Sequence, residues 1–243
     1  MYIIKLDAID STNTYLKALC ASKLPKDYTV VIAESQTIGR GQMGTHWQGE
    51  HGKNLTVSVF KALSDFHLEN QFYISMVVSL AISTALKTFK IPQLQIKWPN
   101  DILSAKQKVC GILIENIVKS GKLNGSVIGF GLNVNQKYFK DLPKASSMSL
   151  LTGVLFNKDE ILSEILKQIQ IYFELLESGK FTEIQSEYEA LLFRKDKPST
   201  FKTQDASTFS GIIQGVTKEG KLKVWTEDEI IKIFDLKELT LLY

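Results

Sequence analysis

The sequence predicts an α/β (α+β) protein: a mixed sheet flanked by helices, followed by a small all-β unit. Three observations carry this prediction. Strand-patterned apolar runs alternate with helical periodicities over residues 1–194; the longest periodicity, from Asn157, brings its own cap; and residues 195–243 hold only short strand-like runs divided by turn formers.

Taken in order, Ile3, Ile4 and Leu6 begin a strand, and Asp10-Ser11-Thr12-Asn13 supplies N-cap chemistry for a short helix through Leu16 and Leu19. Thr29 to Ala33 is β-branched and apolar, a buried strand ending at Glu34. A glycine-rich loop follows, then a strand in which Leu55, Val57 and Val59 alternate with Thr56, Ser58 and Phe60. The uncharged stretch from Asn70 to Leu86 reads as a core helix, because Ser75, Ser79 and Ser83 place a small polar stripe along one face. Leu94 to Trp98 alternates again and stops at Pro99, which cannot donate to a ladder. Val109 to Ile117 and Leu123 to Ile128 flank Ser120-Gly121-Lys122 as a hairpin.

Asn157 with Glu160 forms a capping-box pattern ahead of Ile161, Ile165, Ile169, Tyr172 and Leu176, so a helix runs to about Gly179, and a second amphipathic piece reaches about Leu192. After Pro198 the short strands are separated by Asp205-Ala206-Ser207, Lys218-Glu219-Gly220 and Glu227-Asp228-Glu229.

Composition narrows the function classes. The 243 residues are 44% hydrophobic and 23% charged with a net charge of +3, an ordinary globular balance without a basic run, so charge does not indicate nucleic acid binding. The only arginines are Arg40 and Arg194, which leaves few candidates for guanidinium recognition of an anion. Cys20 and Cys110 form no metal-ligand pattern with His46, His51 or His67, so no metal-ligating residue is predicted. The N-terminus lacks a secretory leader pattern and no apolar run is long enough to span a bilayer, so neither secretion nor membrane insertion is expected.

Residues 39–47 contain a formal GxGxxG match, Gly39, Gly41 and Gly44, with Arg40, Gln42 and Trp47. A dinucleotide fingerprint needs a helix next; here a strand follows, and no Gly-Lys-Ser/Thr closes a P-loop. Alone, such a segment is often just a turn. With a guanidinium and an indole in it, it suits a phosphate-bearing ligand with a flat base. The cluster Lys97-Trp98-Pro99-Asn100-Asp101 gathers charged and amide groups at a strand end. Lys108 precedes Gly111 on an apolar strand, and Gly129, Gly131 and Asn133 close the next one; such strand ends are where ligands bind in α/β folds.

In that order, Asp10 to Asn13, Gln36, the 39–47 loop, Lys97 to Asp101, Lys108 with Gly111 to Glu115, and Gly129 to Asn133 resemble the motifs of the biotin protein ligases. The resemblance implies a class II aminoacyl-tRNA-synthetase-like catalytic domain over 1–194 and an SH3-like barrel over 195–243. It also implies a two-step reaction: biotin and Mg-ATP give biotinyl-AMP and pyrophosphate, and a lysine of a biotin carboxyl carrier protein then displaces AMP. By the same resemblance Arg40, Lys108 and Asp101 are catalytic. Biotin is met by Ser11, Thr12, Asn13, Gln36, Gly39, Arg40, Gly41, Gln42, Lys108, Gly111, Gly129 and Gly131. ATP is met by Arg40, Trp47, Lys97, Asn100, Asp101, Lys108 and Asn133.

The loop departs from the family at Gln42 and Thr45, where many members are basic, so retention of the acyl-adenylate is expected to lean on Arg40 and Lys108. A monofunctional cytoplasmic enzyme is expected, compatible with a homodimer and acting on no DNA, since family repressors carry some sixty further residues ahead of the first strand. The nearest alternative is a lipoate or octanoate ligase, whose glycine motif differs and which lacks the Trp-Pro-Asn-Asp cluster.

Overall fold

A computed structural model describes the backbone of residues 1–243 and the side chains of all but Met43 and Asp65. The chain runs β1 (Tyr2–Ile9), α1 (Thr12–Ser22), β2 (Thr29–Gln36), β3 (Leu55–Phe66), α2 (Gln71–Thr88), β4 (Leu94–Lys97), β5 (Asp101–Ser104), β6 (Gln107–Lys119) and β7 (Lys122–Leu132). It continues with α3 (Met148–Thr152), α4 (Lys158–Glu177), α5 (Phe181–Ala190), β8 (Pro198–Thr203), β9 (Thr208–Val216), β10 (Leu222–Thr226), β11 (Ile231–Phe234) and β12 (Leu239–Leu242).

The first seven strands form one mixed sheet in the order β1-β2-β3-β7-β6-β5-β4, parallel only between β1 and β2, where α1 makes the crossover. The last five form an antiparallel sheet, β11-β10-β9-β8-β12. Sequence and structure agree on this architecture, and the differences have local causes. The predicted strand at residues 29–33 extends to Gln36, and that at residues 55–60 to Phe66. Strand β5 follows Pro99 too closely, and is too short, for periodicity to reveal it. Its turn into β6 sets Ala105 and Lys106 at φ of 47° and 67° without a glycine to announce it, whereas the β6–β7 turn, with Ser120 and Gly121 at 52° and 76°, is visible in sequence.

The two faces of the large sheet have different fates. One packs Val30, Val57, Val59, Ile128 and Phe130 beneath α2, α4 and α5, with Phe173 and Ile165 fully buried. The other takes α1 through a smaller cluster of Leu16, Val31, Phe60 and Val127, leaving the neighbouring stretch of sheet free for a site. The serine stripe of α2 is not a solvent face: Ser79 and Ser83 are 1% and 3% exposed, small side chains that let the helix lie close in the core. Asn157 caps α4 by accepting from the Asp159 amide at 3.0 Å, a contribution of about 1 kcal/mol.

The second sheet is docked on the first. Trp98 Nε1 donates to the Gly220 carbonyl at 2.8 Å, and Gln185 Nε2 on α5 donates to the Val216 carbonyl at 3.0 Å. No described helix is long and apolar enough to cross a membrane.

Candidate active site

Strand register brings distant stretches of sequence into one row. Thr56 on β3 pairs with Gly131 on β7, Gly131 with Gly111 on β6, Gly111 with Asp101 on β5, and Asp101 with Lys97 on β4. The next row on the same face joins Ser58, Gly129 and Leu113. The three glycines therefore form a floor without side chains. A Cβ at Gly129 would fall on the Asn13 amide, one at Gly131 on the Trp47 indole, and one at Gly111 within 3.0 Å of Trp47 Cζ3 and 3.2 Å of Lys108 Nζ.

Above this floor lies a cavity of about 430 Å³, large enough for a small organic ligand. At one end the groups are neutral. The Thr12 amide and hydroxyl reach Gln36 Oε1 at 2.8 and 3.0 Å, and Ser58 Oγ donates to Asn13 Oδ1 at 2.5 Å while lying 2.8 Å from Thr12 Oγ1. Ser11, Thr12 and Asn13 are each 3% exposed, held there because α1 begins on the sheet face.

The other end is cationic. Lys108 Nζ meets Asp101 Oδ1 at 2.6 Å, and Lys97 Nζ lies 3.8 Å from Asp101 Oδ2. Burial pushes the Lys97 ammonium below its ordinary value; the charges of Lys108 and Lys144 act in the same direction, and Asp101 opposes them. A bound polyanion would reverse that push. Asn100 uses its amide nitrogen on the Ile112 carbonyl at 2.7 Å, which ties the Trp-Pro-Asn-Asp turn to β6.

The glycine-rich segment is folded as a tongue rather than an open loop. Gly41 N donates to Thr45 O at 2.7 Å, Trp47 N to Gly39 O at 2.9 Å, Arg40 bridges His46, and a 3₁₀ turn spans Gln42–Gly44. Trp47 thereby lies against the floor, 5.6 Å from the Lys108 ammonium, and its buried indole N–H has no partner among the described residues.

Of the predicted residues, Ser11, Thr12, Asn13, Gln36, Arg40, Gly41, Gln42, Trp47, Lys97, Asn100, Asp101, Lys108, Gly111, Gly129 and Gly131 all line this one cavity. Gly39 and Asn133 do not. Gly39 lacks room for a Cβ because the Trp47 carbonyl stands there, so its role is inside the tongue. Asn133 is 3% exposed and donates to the Ser146 carbonyl at 2.9 Å, which places it in the supporting wall.

Sequence reasoning missed several contributors. Thr56 and Ser58 were legible as polar positions alternating along β3. The second sheet closes the cavity with Ile213, Leu222, Leu236, Lys237 and Leu239 to Leu241, and Tyr243 sits with its ring 5.6 Å from Lys97 and 3.9 Å from Lys144. No local pattern in the sequence announces either of these. Glu115, quoted within a motif but given no role, binds Arg40 at 2.6 Å.

Comparison with known proteins identifies the family. Residues 6–133 match the model of the Biotin/lipoate A/B protein ligase family. The bifunctional ligase/repressor BirA of Bacillus spizizenii is 29% identical over 237 residues, covering 96% of this chain and 72% of that protein. The protein of the same name from Escherichia coli is 28% identical over 229 residues, covering 93% and 70%. The biotin protein ligase of Aquifex aeolicus, solved in complex with biotin and ATP, superposes with a TM-score of 0.82 at 26% identity, over 99% of this chain and 98% of that one. On sequence and fold, the chain belongs to the biotin/lipoate A/B protein ligase family.

Proposed function

We infer that this protein is an ATP-dependent biotin protein ligase, which forms biotinyl-5′-AMP and transfers the biotinyl group to a lysine of a carrier domain. The observation that carries the reading is one cavity with a neutral amide and hydroxyl end at Thr12, Asn13 and Gln36 and a cationic end at Lys97 and Lys108, joined by a glycine floor. A ureido ring offers donors and acceptors without charge and suits the first end; a carboxylate meeting a triphosphate suits the second.

The first step brings two anions together. Lys108, Lys97 and Arg40 offset their repulsion, the carboxylate oxygen attacks the α-phosphorus, and pyrophosphate leaves. In the second step the acceptor amine must be neutral to attack the acyl carbon, and AMP departs. Asp101 is the only carboxylate lining the cavity among the described residues, which makes it the group that can hold the incoming ammonium and take its proton. The partnerless Trp47 N–H is available to the adenylate.

The donor set fits a magnesium ion carried in by the nucleotide. No described cluster of three carboxylate, histidine or thiol groups could hold a metal alone, so the ion would be held chiefly by phosphate oxygens and water. The ion would neutralise phosphate charge. The division of labour we propose puts adenylation on residues 1–194 and the cap over the cavity on 195–243.

The acceptor is proposed to be the biotin carboxyl carrier domain of a biotin-dependent carboxylase, with no DNA partner. Cys20 and Cys110 are both free thiols, in keeping with a cytoplasmic setting. Edge strand β1, with Tyr2 and Ile3 exposed, offers a ladder through which two copies could pair.

Incubation with biotin, Mg-ATP and a purified carrier domain tests the reading: labelling of the carrier is expected with biotin and not with lipoate, and no labelling with biotin would refute it. A second expectation concerns Gln42, a neutral residue lining the cavity from the tongue. Gln42→Arg adds a charge-assisted donor and is expected to slow escape of biotinyl-AMP by roughly three- to tenfold. Equal escape from parent and variant, measured without carrier, would remove Gln42 as a determinant of retention.

A further inference from the structure

Glu115 lies outside the cavity lining yet touches the parts that close it. It stands on β6, on the same face as Gly111 and Leu113, and its carboxylate accepts from Arg40 Nη2 at 2.6 Å, Lys17 Nζ at 2.8 Å and Asn13 Nδ2 at 3.0 Å. Those donors come from the tongue and from two successive turns of α1. A carboxylate with three donors from separate segments is a junction rather than a surface ion pair, and its side chain is only 17% exposed against 41% for Arg40. Arg40's other contact, to Thr14 Oγ1 at 3.4 Å, is long.

Two consequences reach the cavity. Arg40 is the residue at which the tongue's hairpin begins, so fixing its guanidinium fixes the root of a segment whose far end is Trp47. Asn13, held at its amide nitrogen by Glu115 and the Leu113 carbonyl, must present its oxygen to Ser58 and fill the space above Gly129. Burial alone would raise the Glu115 carboxyl; donation from Lys17 and Asn13 and the charges of Lys17 and Arg40 outweigh it and hold it below the usual carboxylate range.

We propose that Glu115 is a positioning residue that pins the glycine-rich tongue by Arg40 and orients Asn13, so that the cavity is organised before a ligand enters. It touches no substrate; it acts through the two residues it holds. The kinetic part rests on the ligase reading above, and the structural part does not.

The test uses the full chain with Glu115→Ala, Glu115→Gln and Glu115→Asp. Trypsin can cut after Arg40, inside the tongue, and cleavage there is expected to accelerate roughly five- to tenfold in Glu115→Ala and less in Glu115→Gln, with partial protection restored by Glu115→Asp. The KM for biotin should rise by a similar factor while kcat at saturation stays within about twofold. A general loss of folding would instead lower kcat and speed cleavage at every site. Unchanged cleavage after Arg40, or a lowered KM showing that Glu115 competes with ligand for Arg40, would each overturn the proposal. If the parent itself fails to label a carrier, the ligase reading falls while the cleavage comparison still decides whether Glu115 pins the tongue.

Discussion

Replacing Lys108 by alanine is expected to slow biotin-dependent ATP–pyrophosphate exchange by about 10²- to 10³-fold, the usual cost of removing one preorganised charge stabiliser from a site where negative charge accumulates. Two effects add. The ammonium that faces the incoming phosphates is lost, and Asp101, which it meets at 2.6 Å, keeps among the described residues the weaker pairing with Lys97 at 3.8 Å, so a carboxylate now repels the nucleotide. The strand is expected to survive, because the backbone bonds from Lys108 N to Lys144 O at 2.7 Å and from Ser146 N to Lys108 O at 2.9 Å do not use the side chain. Adding Asp101→Asn to Lys108→Ala should therefore recover part of the exchange rate, a coupling that distinguishes charge from packing. An exchange rate within about threefold of the parent in the single variant would show that Lys108 does not carry this charge.

The second large effect is expected from Gly131→Val. The Trp47 indole occupies the place of the missing side chain, and Gly111 beside it offers no alternative space because its own Cβ position lies 3.0 Å from the same ring. The branched side chain must displace the indole or the strand. Overpacking of this kind costs about 1–3 kcal/mol. Because Trp47 is the far end of the tongue, that cost should fall on ordering the tongue, seen as a drop in kcat/KM for biotin of roughly 10- to 100-fold. Intrinsic fluorescence should shift to the red as the indole meets water, with the melting temperature lowered by only a few degrees. Trp47→Ala in the same background should then add little. Unchanged fluorescence and activity would mean that the indole does not rest on this floor.

Much of this site was legible in the sequence because its members are chemically unusual where they stand. Arg40 is one of two arginines, Lys97 to Asp101 interrupts an apolar strand, and Gly129 and Gly131 are spaced by two, which puts both on one face of a strand. What could not be read was mostly register. Nothing local says that Gly131 lies opposite Gly111, or Gly111 opposite Asp101; that follows from pairing across strands far apart in sequence and from the unannounced turn at Ala105 and Lys106. The same holds for closure of the cavity by Leu239 to Leu241, which depends on docking one sheet against another. Glu115 was visible but silent, since a glutamate on a strand declares no role until its three donors are in place.

The row from Thr56 through Gly131, Gly111 and Asp101 to Lys97 crosses five adjacent strands. Strand spacing of about 4.8 Å makes that row about 19 Å end to end, whatever side chains it bears. The backbone ladder is thus a measuring rod laid under the ligand. Substituting side chains along it can change how tightly a molecule is held, but the distance from Thr56 to Lys97 is set by the hydrogen-bonded sheet itself.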